Sequence, residues 1–179
     1  MTGSLNEMPQ IIPASPWVER HCPLIAAGGR VLDLACGSGR HVRLLAGRGH
    51  PVLAVDRNGE ALAALAGLGN VETRQLDLEG DLWPLAGERF AGIVVTNYLW
   101  RPHLPAVLAM LAPGGVLIYE TFMQGNAAYG KPSSPQFLLQ PGELSEQVRG
   151  AGLRPVAFTE GYVEQPRPAM VQAVCAVRD

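Results

Sequence analysis

A chain of 179 residues is the length of one ordinary domain, and folding such a chain hides about 70% of the surface its unfolded form exposes. A composition 47% hydrophobic and 17% charged excludes whole-chain disorder, and a net charge of −2 gives no bulk basic signal for a nucleic-acid partner. Three dispersed cysteines, Cys22, Cys36 and Cys175, make neither a disulfide framework nor a CxxC metal pair, which fits a reduced, cytoplasmic setting. No run of about 18 apolar residues is present to span a membrane, and no basic segment leads into an apolar leader. Residues 1–15 mix Pro, Gly, Ser and Asn without periodicity and read as a loose lead-in to a single domain over 16–179.

A helix is predicted over 16–27, with Ser15 as N-cap and Pro16 at its first position. Residues 30–34 read as a buried strand, followed by Gly37-Ser38-Gly39 and a helix to about Gly47. A second strand over 51–55 ends at Asp56, and Asn58 caps an Ala-rich helix running to about Leu68. A third strand over 71–76 ends at Asp77. A fourth, over 90–95, is almost wholly apolar, as a central parallel strand covered on both faces should be. A helix over 103–111, the turn Pro113-Gly114-Gly115 and a strand over 116–120 follow. After a Gly/Pro-rich stretch come a helix over 142–150 and strands over 154–158 and 169–177. Strands alternating with helices before a terminal hairpin predict an α/β, Rossmann-like, doubly wound and mostly parallel seven-stranded sheet with one antiparallel strand.

In such sheets ligands bind beyond the C-terminal strand ends, where Asp33, Asp56, Asp77 and Asn97 fall. Gly37 and Gly39 allow a sharp turn and a close backbone approach, and the following helix N-terminus offers N–H groups suited to a carboxylate or phosphate. Asp56, 17 residues beyond Gly39, stands where nucleoside sites put a carboxylate on ribose hydroxyls. NAD is the competing ligand, but its fingerprint needs a small residue where this chain has Val42, and Asp33 is poorly placed beside a pyrophosphate. An acid there suits a ligand carrying an ammonium group and a sulfonium charge.

The run Val31-Leu32-Asp33-Leu34-Ala35-Cys36-Gly37-Ser38-Gly39 resembles the first motif of class I S-adenosylmethionine (SAM)-dependent methyltransferases, with Ala35 where that family often has glycine. The likeness continues through Val55-Asp56, Leu76-Asp77-Leu78, residues 90–95 and residues 111–117, covering about residues 30 to 120. The resemblance implies SAM as cofactor, with Asp33 and the backbone of Ala35, Cys36, Gly37 and Gly39 on the methionine part. It further implies Asp56 on the ribose, Arg57 or Asn58 beside the adenine, Asp77 on the adenine amino group and Leu78 against the base. Thr96 and Asn97 would close the site near the sulfonium, and Arg20 would reach the methionine carboxylate.

The segment 119–144 is similar to a bacterial subgroup labelled tellurite-resistance-type methyltransferases, and its Gly/Pro content suits a lid over the site. Tyr98, Trp100, Arg101 and Glu120 are candidates for contact with the methyl acceptor. The Asn/Asp-Pro-Pro-Tyr/Phe motif of enzymes methylating bases and glutamine is missing. A general base is optional for this displacement; His41, His103, Glu120 and Tyr98 are candidates by location. No His/Cys/acid cluster has metal-ligand spacing. A short chain favours a small-molecule acceptor. Two other readings stay open: an NAD(P)-dependent oxidoreductase, and a non-catalytic SAM-binding protein on the same scaffold.

Overall fold

The computed structural model describes residues 12–179, so most of the lead-in lies outside the described residues. Residues 12–15 are irregular, and Ser15 then caps α1 (Pro16–His21), its Oγ accepting the Trp17 N–H at 3.1 Å. The helix stops well short of residue 27. Pro23 has no N–H to continue it, and the chain passes into a 3₁₀ turn over Cys22–Leu24.

Seven strands form one sheet: β1 (Val31–Leu34), β2 (Val52–Asp56), β3 (Val71–Gln75), β4 (Phe90–Thr96), β5 (Leu111–Phe122), β6 (Arg154–Val163) and β7 (Ala169–Val177). Their order is β3-β2-β1-β4-β5-β7-β6. Pairings from β3 through β5 are parallel, whereas β7 runs antiparallel to both β5 and β6. This is the doubly wound sheet with one antiparallel strand that the terminal hairpin implies. The order reverses between β1 and β4, which puts the crevice for a ligand at their C-terminal ends.

Successive side chains of a strand point to opposite faces, so each central strand feeds two cores. Leu32, Leu53, Ile93 and Leu117 pack on one face with Leu104 and Leu108 of α4 (Leu104–Ala109) and Leu144 and Val148 of α5 (Glu143–Gly150). Val31, Val52, Val94 and Ile118 pack on the other with Val18 of α1, Val42 and Leu45 of α2 (Arg40–Gly47) and Leu62 of α3 (Gly59–Ala63). Each such fully buried aliphatic side chain contributes about 1.5–3 kcal/mol.

Three element boundaries depart from the sequence reading. Asn58 does cap α3, accepting from the Glu60 and Ala61 N–H groups, but the helix ends at Ala63 and the chain reaches β3 through turns containing Gly67 and Gly69. The Pro113–Gly115 turn lies inside β5 as an irregularity. Phe90 pairs with Leu111 and Gly92 with Val116, and the surplus residues bulge around Gly114 at φ 74°. β6 runs five residues beyond its expected end because its antiparallel register with β7 continues to Val163↔Ala169.

Candidate functional site

Asp33 is the next-to-last residue of β1 and is 1% exposed. The Val42 N–H supports its carboxyl from the first turn of α2, but Oδ2 is buried with no hydrogen-bond partner among the described residues. Burial pushes this acid up to about 8, against the opposing pull of Arg40. A buried carboxyl oxygen without a partner is costly, and a donor brought by a ligand relieves that cost.

The loop after β1 makes a tight turn. Ala35 (φ 54°) and Asn97 (φ 55°) are the two non-glycine residues with positive φ among those described, and they follow the adjacent strands β1 and β4. Strain of this kind concentrates where a ligand is held. Gly37 (φ 56°) faces open space, whereas a Cβ on Gly39 (φ 79°) would overlap the Leu65 side chain.

Three amide groups here are engaged internally. The Cys36 N–H donates to Val55 O at 3.0 Å, the Gly37 N–H to Asp56 Oδ2 at 2.8 Å and the Gly39 N–H to Cys36 O at 3.0 Å. The carbonyls of Ala35 and Gly37 receive no backbone N–H among the described residues. The expected anion-binding loop is therefore a loop of acceptors beside an acid. That arrangement fits an ammonium group and not a pyrophosphate.

Asp56 ends β2. Its Oδ1 accepts the Asn58 N–H at 2.8 Å while Oδ2 holds Gly37, so one carboxylate ties two loops together and keeps lone pairs for further donors. It lines a cleft of about 130 Å³ with Ala35, Arg57, Leu76, Asp77, Leu78, Glu79 and Tyr98. Five expected cofactor residues thus share one cleft: Ala35, Asp56, Arg57, Asp77 and Leu78. Tyr98, expected at the acceptor, lines this cleft instead; its hydroxyl is buried without a partner among the described residues.

A second cavity, of about 500 Å³, opens over the ends of β4, β5 and β7. Trp17, Arg20, Asn97, Glu120, Phe122 and Arg167 are among the residues that line it. Asn97 and Tyr98 are consecutive, so the end of β4 contributes one lining residue to each cavity. Ser15 organises this region. Its N–H donates to His41 Nε2 at 2.9 Å, and its Oγ lies 3.1 and 3.3 Å from the two oxygens of Glu120. Burial raises Glu120 above the ordinary glutamate range, with Ser15 and Arg40 opposing the shift. His41 accepts at Nε2, so its proton sits on Nδ1, facing Thr96 Oγ1 at 3.5 Å. Burial holds this imidazole down at about 4, which makes it a neutral strut and not a proton carrier at neutral pH.

Arg101 and Trp100 line neither cavity. Arg101 forms a bidentate pair with Glu143 at 2.6 and 2.9 Å and donates to the carbonyls of Gln136 and Leu138. The guanidinium expected at the acceptor is thus engaged within the chain, where it fastens the segment after β5. His103 donates through Nε2 to Gly80 O at 2.6 Å and stacks near Trp83, so it too is structural. The segment expected as a lid is pinned by Arg101, by a Met123↔Leu139 bridge and by buried Asn126, which holds Pro132 O and the Met170 N–H. Residues 13–17 and the β6–β7 connection enclose the larger cavity instead. Trp17, Arg40, Phe122 and Arg167 are lining residues that the motif reading missed. They lie outside the glycine motif or act through tertiary contact, and only Arg40, directly after Gly39, carried a positional hint. Among the described residues no group of three or more His, Cys, Asp or Glu is arranged to hold a metal, and no helix is long and apolar enough to cross a membrane.

Comparison with known proteins agrees with this geometry. Residues 31–115 match the family model described as a methyltransferase domain. The chain is 31% identical over 166 residues to the ubiquinone biosynthesis O-methyltransferase of Pseudomonas fluorescens, covering 76% of this chain and 68% of that protein. It is 28% identical to the enzyme of that name from Azoarcus sp., covering 80% of this chain and 71% of that protein. Among solved structures, TehB from Haemophilus influenzae superimposes with a TM-score of 0.72 at 21% identity over 91% of this chain, which spans 61% of TehB. The Burkholderia thailandensis 1,6-didemethyltoxoflavin-N1-methyltransferase, solved with its acceptor and S-adenosylhomocysteine bound, gives 0.71 at 22% identity, covering 91% of this chain and 76% of that one. These structures establish the fold. Fold, motif and sequence relatives together make this chain a member of the class I SAM-dependent methyltransferases.

Proposed function

We propose that SAM lies with its nucleoside in the smaller cleft and its methionine end toward the larger cavity, and that the acceptor is a small molecule held in the larger cavity. The observation that carries this reading is the partnerless Oδ2 of buried Asp33, an acceptor with no donor among the described residues, beside the Ala35 and Gly37 carbonyls, which receive no backbone N–H there. The methionine ammonium group supplies that donor. Asp33 and the backbone of Ala35, Cys36, Gly37 and Gly39 surround it. Arg20, exposed on α1, is the counter-charge for the carboxylate, and Thr96 and Asn97 close the site near the sulfonium.

Asp56 takes the ribose hydroxyls on its remaining lone pairs. Arg57 and Asp77 serve the adenine edge, and Leu78 packs against the base. When bound, SAM supplies a methyl group on sulfonium, already joined to a good leaving group. The protein's part is to align the acceptor and exclude water, which is worth several powers of ten in rate. A volume of about 500 Å³ matches small-ligand cavities, and the relatives named for O-methylation or N-methylation of small molecules point the same way. The reduced cysteines, all buried, suit the cytoplasm.

Soaking crystals with S-adenosylhomocysteine tests the arrangement. The expected density has the adenine between Asp77 and Leu78 and the amino group at Asp33. Density elsewhere refutes the assignments.

A further inference from the structure

The proposed acceptor cavity contains one partly buried carboxylate, Glu120, that the cofactor reading leaves unused. Glu120 lies two residues before the end of β5, and the Asn97 N–H donates to its carbonyl at 2.9 Å, which fixes its backbone beside the end of β4. Ser15 has a single hydroxyl proton to give to the two carboxylate oxygens at 3.1 and 3.3 Å, because its own oxygen also accepts the Trp17 N–H. One oxygen of Glu120 therefore keeps its lone pairs for the cavity. The surrounding walls are flat or apolar: Trp17, Phe122, Val171 and Ala173. Arg167 stands over the Phe122 ring at 5.4 Å, and Arg20 makes no hydrogen bond or ion pair among the described residues.

We infer that Glu120 is the general base of the reaction, and that the acceptor is a small, flat, anionic molecule whose methylated atom is an acidic hydroxyl oxygen or ring nitrogen. The inference rests on the two-cavity reading above. In the step, the acceptor's O–H or N–H proton passes to the free oxygen of Glu120. The electron pair left on oxygen or nitrogen forms the bond to the methyl carbon, and the carbon–sulfur pair returns to sulfur. No further reagent is required. The charged groups that line the cavity with Glu120 are Arg40 from α2, Arg20 and Glu19 from α1, and Arg167 from the β6–β7 connection; neutral His41 reaches it through Ser15. Burial raises the proton affinity of this carboxylate toward the working pH, where a base is most effective. The acceptor's own anionic group meets Arg167, with its ring against the apolar lining.

The test uses the full chain, labelled SAM, and a panel of two kinds of probe. Flat protic anions are represented by 3,4-dihydroxybenzoate and 8-hydroxyquinoline-5-sulfonate, and proton-free nucleophiles by dimethyl sulfide and iodide. Calorimetric titration with S-adenosylhomocysteine is run on wild type, Glu120→Gln and Glu120→Asp. Difference infrared titration of wild type against Glu120→Gln follows the carboxyl directly. The expected result is transfer to the protic anions, a 100- to 10,000-fold loss in Glu120→Gln, partial rescue in Glu120→Asp, and S-adenosylhomocysteine affinity within threefold throughout. The wild-type rate should fall at low pH along a limb that coincides with the infrared ionisation of Glu120. Transfer only to proton-free nucleophiles, transfer to none of the probes, or Glu120→Gln retaining the rate within threefold overturns the inference. Failure of the wild type to bind S-adenosylhomocysteine instead overturns the cofactor reading beneath it.

Discussion

Removing the Asp56 carboxylate should separate loop organisation from cofactor contact. In Asp56→Ala the Gly37 N–H loses a charged acceptor at 2.8 Å in a half-buried setting, and the Asn58 N–H loses one at 2.8 Å in an exposed one. Water replaces the second readily. The first costs about 1.5–3 kcal/mol if the amide stays dry. Ribose hydroxyls left without an acceptor in the cleft cost a further 1–3 kcal/mol or so in binding. That range corresponds to roughly a 5- to 150-fold weaker Kd for S-adenosylhomocysteine. Calorimetric titration measures the Kd, and urea unfolding of the free protein measures the loop term. Asp56→Asn should fall between the two, since its single amide oxygen can serve only one of the two N–H groups. A Kd for Asp56→Ala within twofold of wild type would refute the ribose assignment, whatever happened to stability.

Asp33→Asn should flatten the pH dependence of stability. The folded acid ionises at about 8 and the unfolded one near 3.8, so the unfolded state releases its proton first and wild-type stability declines as pH rises between those values. The variant should lose that decline in melting curves taken from pH 4 to 8 and also bind S-adenosylhomocysteine more weakly; an unchanged slope contradicts the buried-acid reading. Arg101→Ala should destabilise the fold by about 1–3 kcal/mol and speed proteolysis within 123–143, because it releases Glu143 and two carbonyls together. Cleavage at the wild-type rate would show the segment is held otherwise. Gly39→Ala should cost about 2 kcal/mol or more in urea unfolding, since a left-handed φ of 79° and the Leu65 side chain both oppose a Cβ.

The parts legible in the sequence were those written in local pattern. Largely apolar runs at 31–34, 52–55 and 90–95 announce central parallel strands, and the polar residues near their ends, Asp33, Asp56 and Asn97, fall at the ligand crevice because the strand direction is shared. Ala35 illustrates the limit of that reading. Its place in the motif was visible, whereas its left-handed backbone and the commitment of the neighbouring amides to Val55 and Asp56 depend on β2 lying alongside. Arg101 illustrates that limit too: it follows β4 where acceptor contacts are expected, and its pairing with Glu143, 42 residues away, has no local sequence signal. The larger cavity was the least legible feature. Trp17 of α1, Glu120 and Phe122 of β5, and Arg167 of the β6–β7 connection come from three separate stretches that only the tertiary structure brings together.

The most direct test of the account is a crystal structure with S-adenosylhomocysteine, supported by titration of the same protein with that ligand and with NAD. The account predicts micromolar binding of S-adenosylhomocysteine alone, with its ribose on Asp56, its amino group against Asp33 Oδ2 and its sulfur near Asn97 at the end of β4. An amino group far from Asp33, or a nucleoside outside the cleft lined by Asp77 and Leu78, would contradict it.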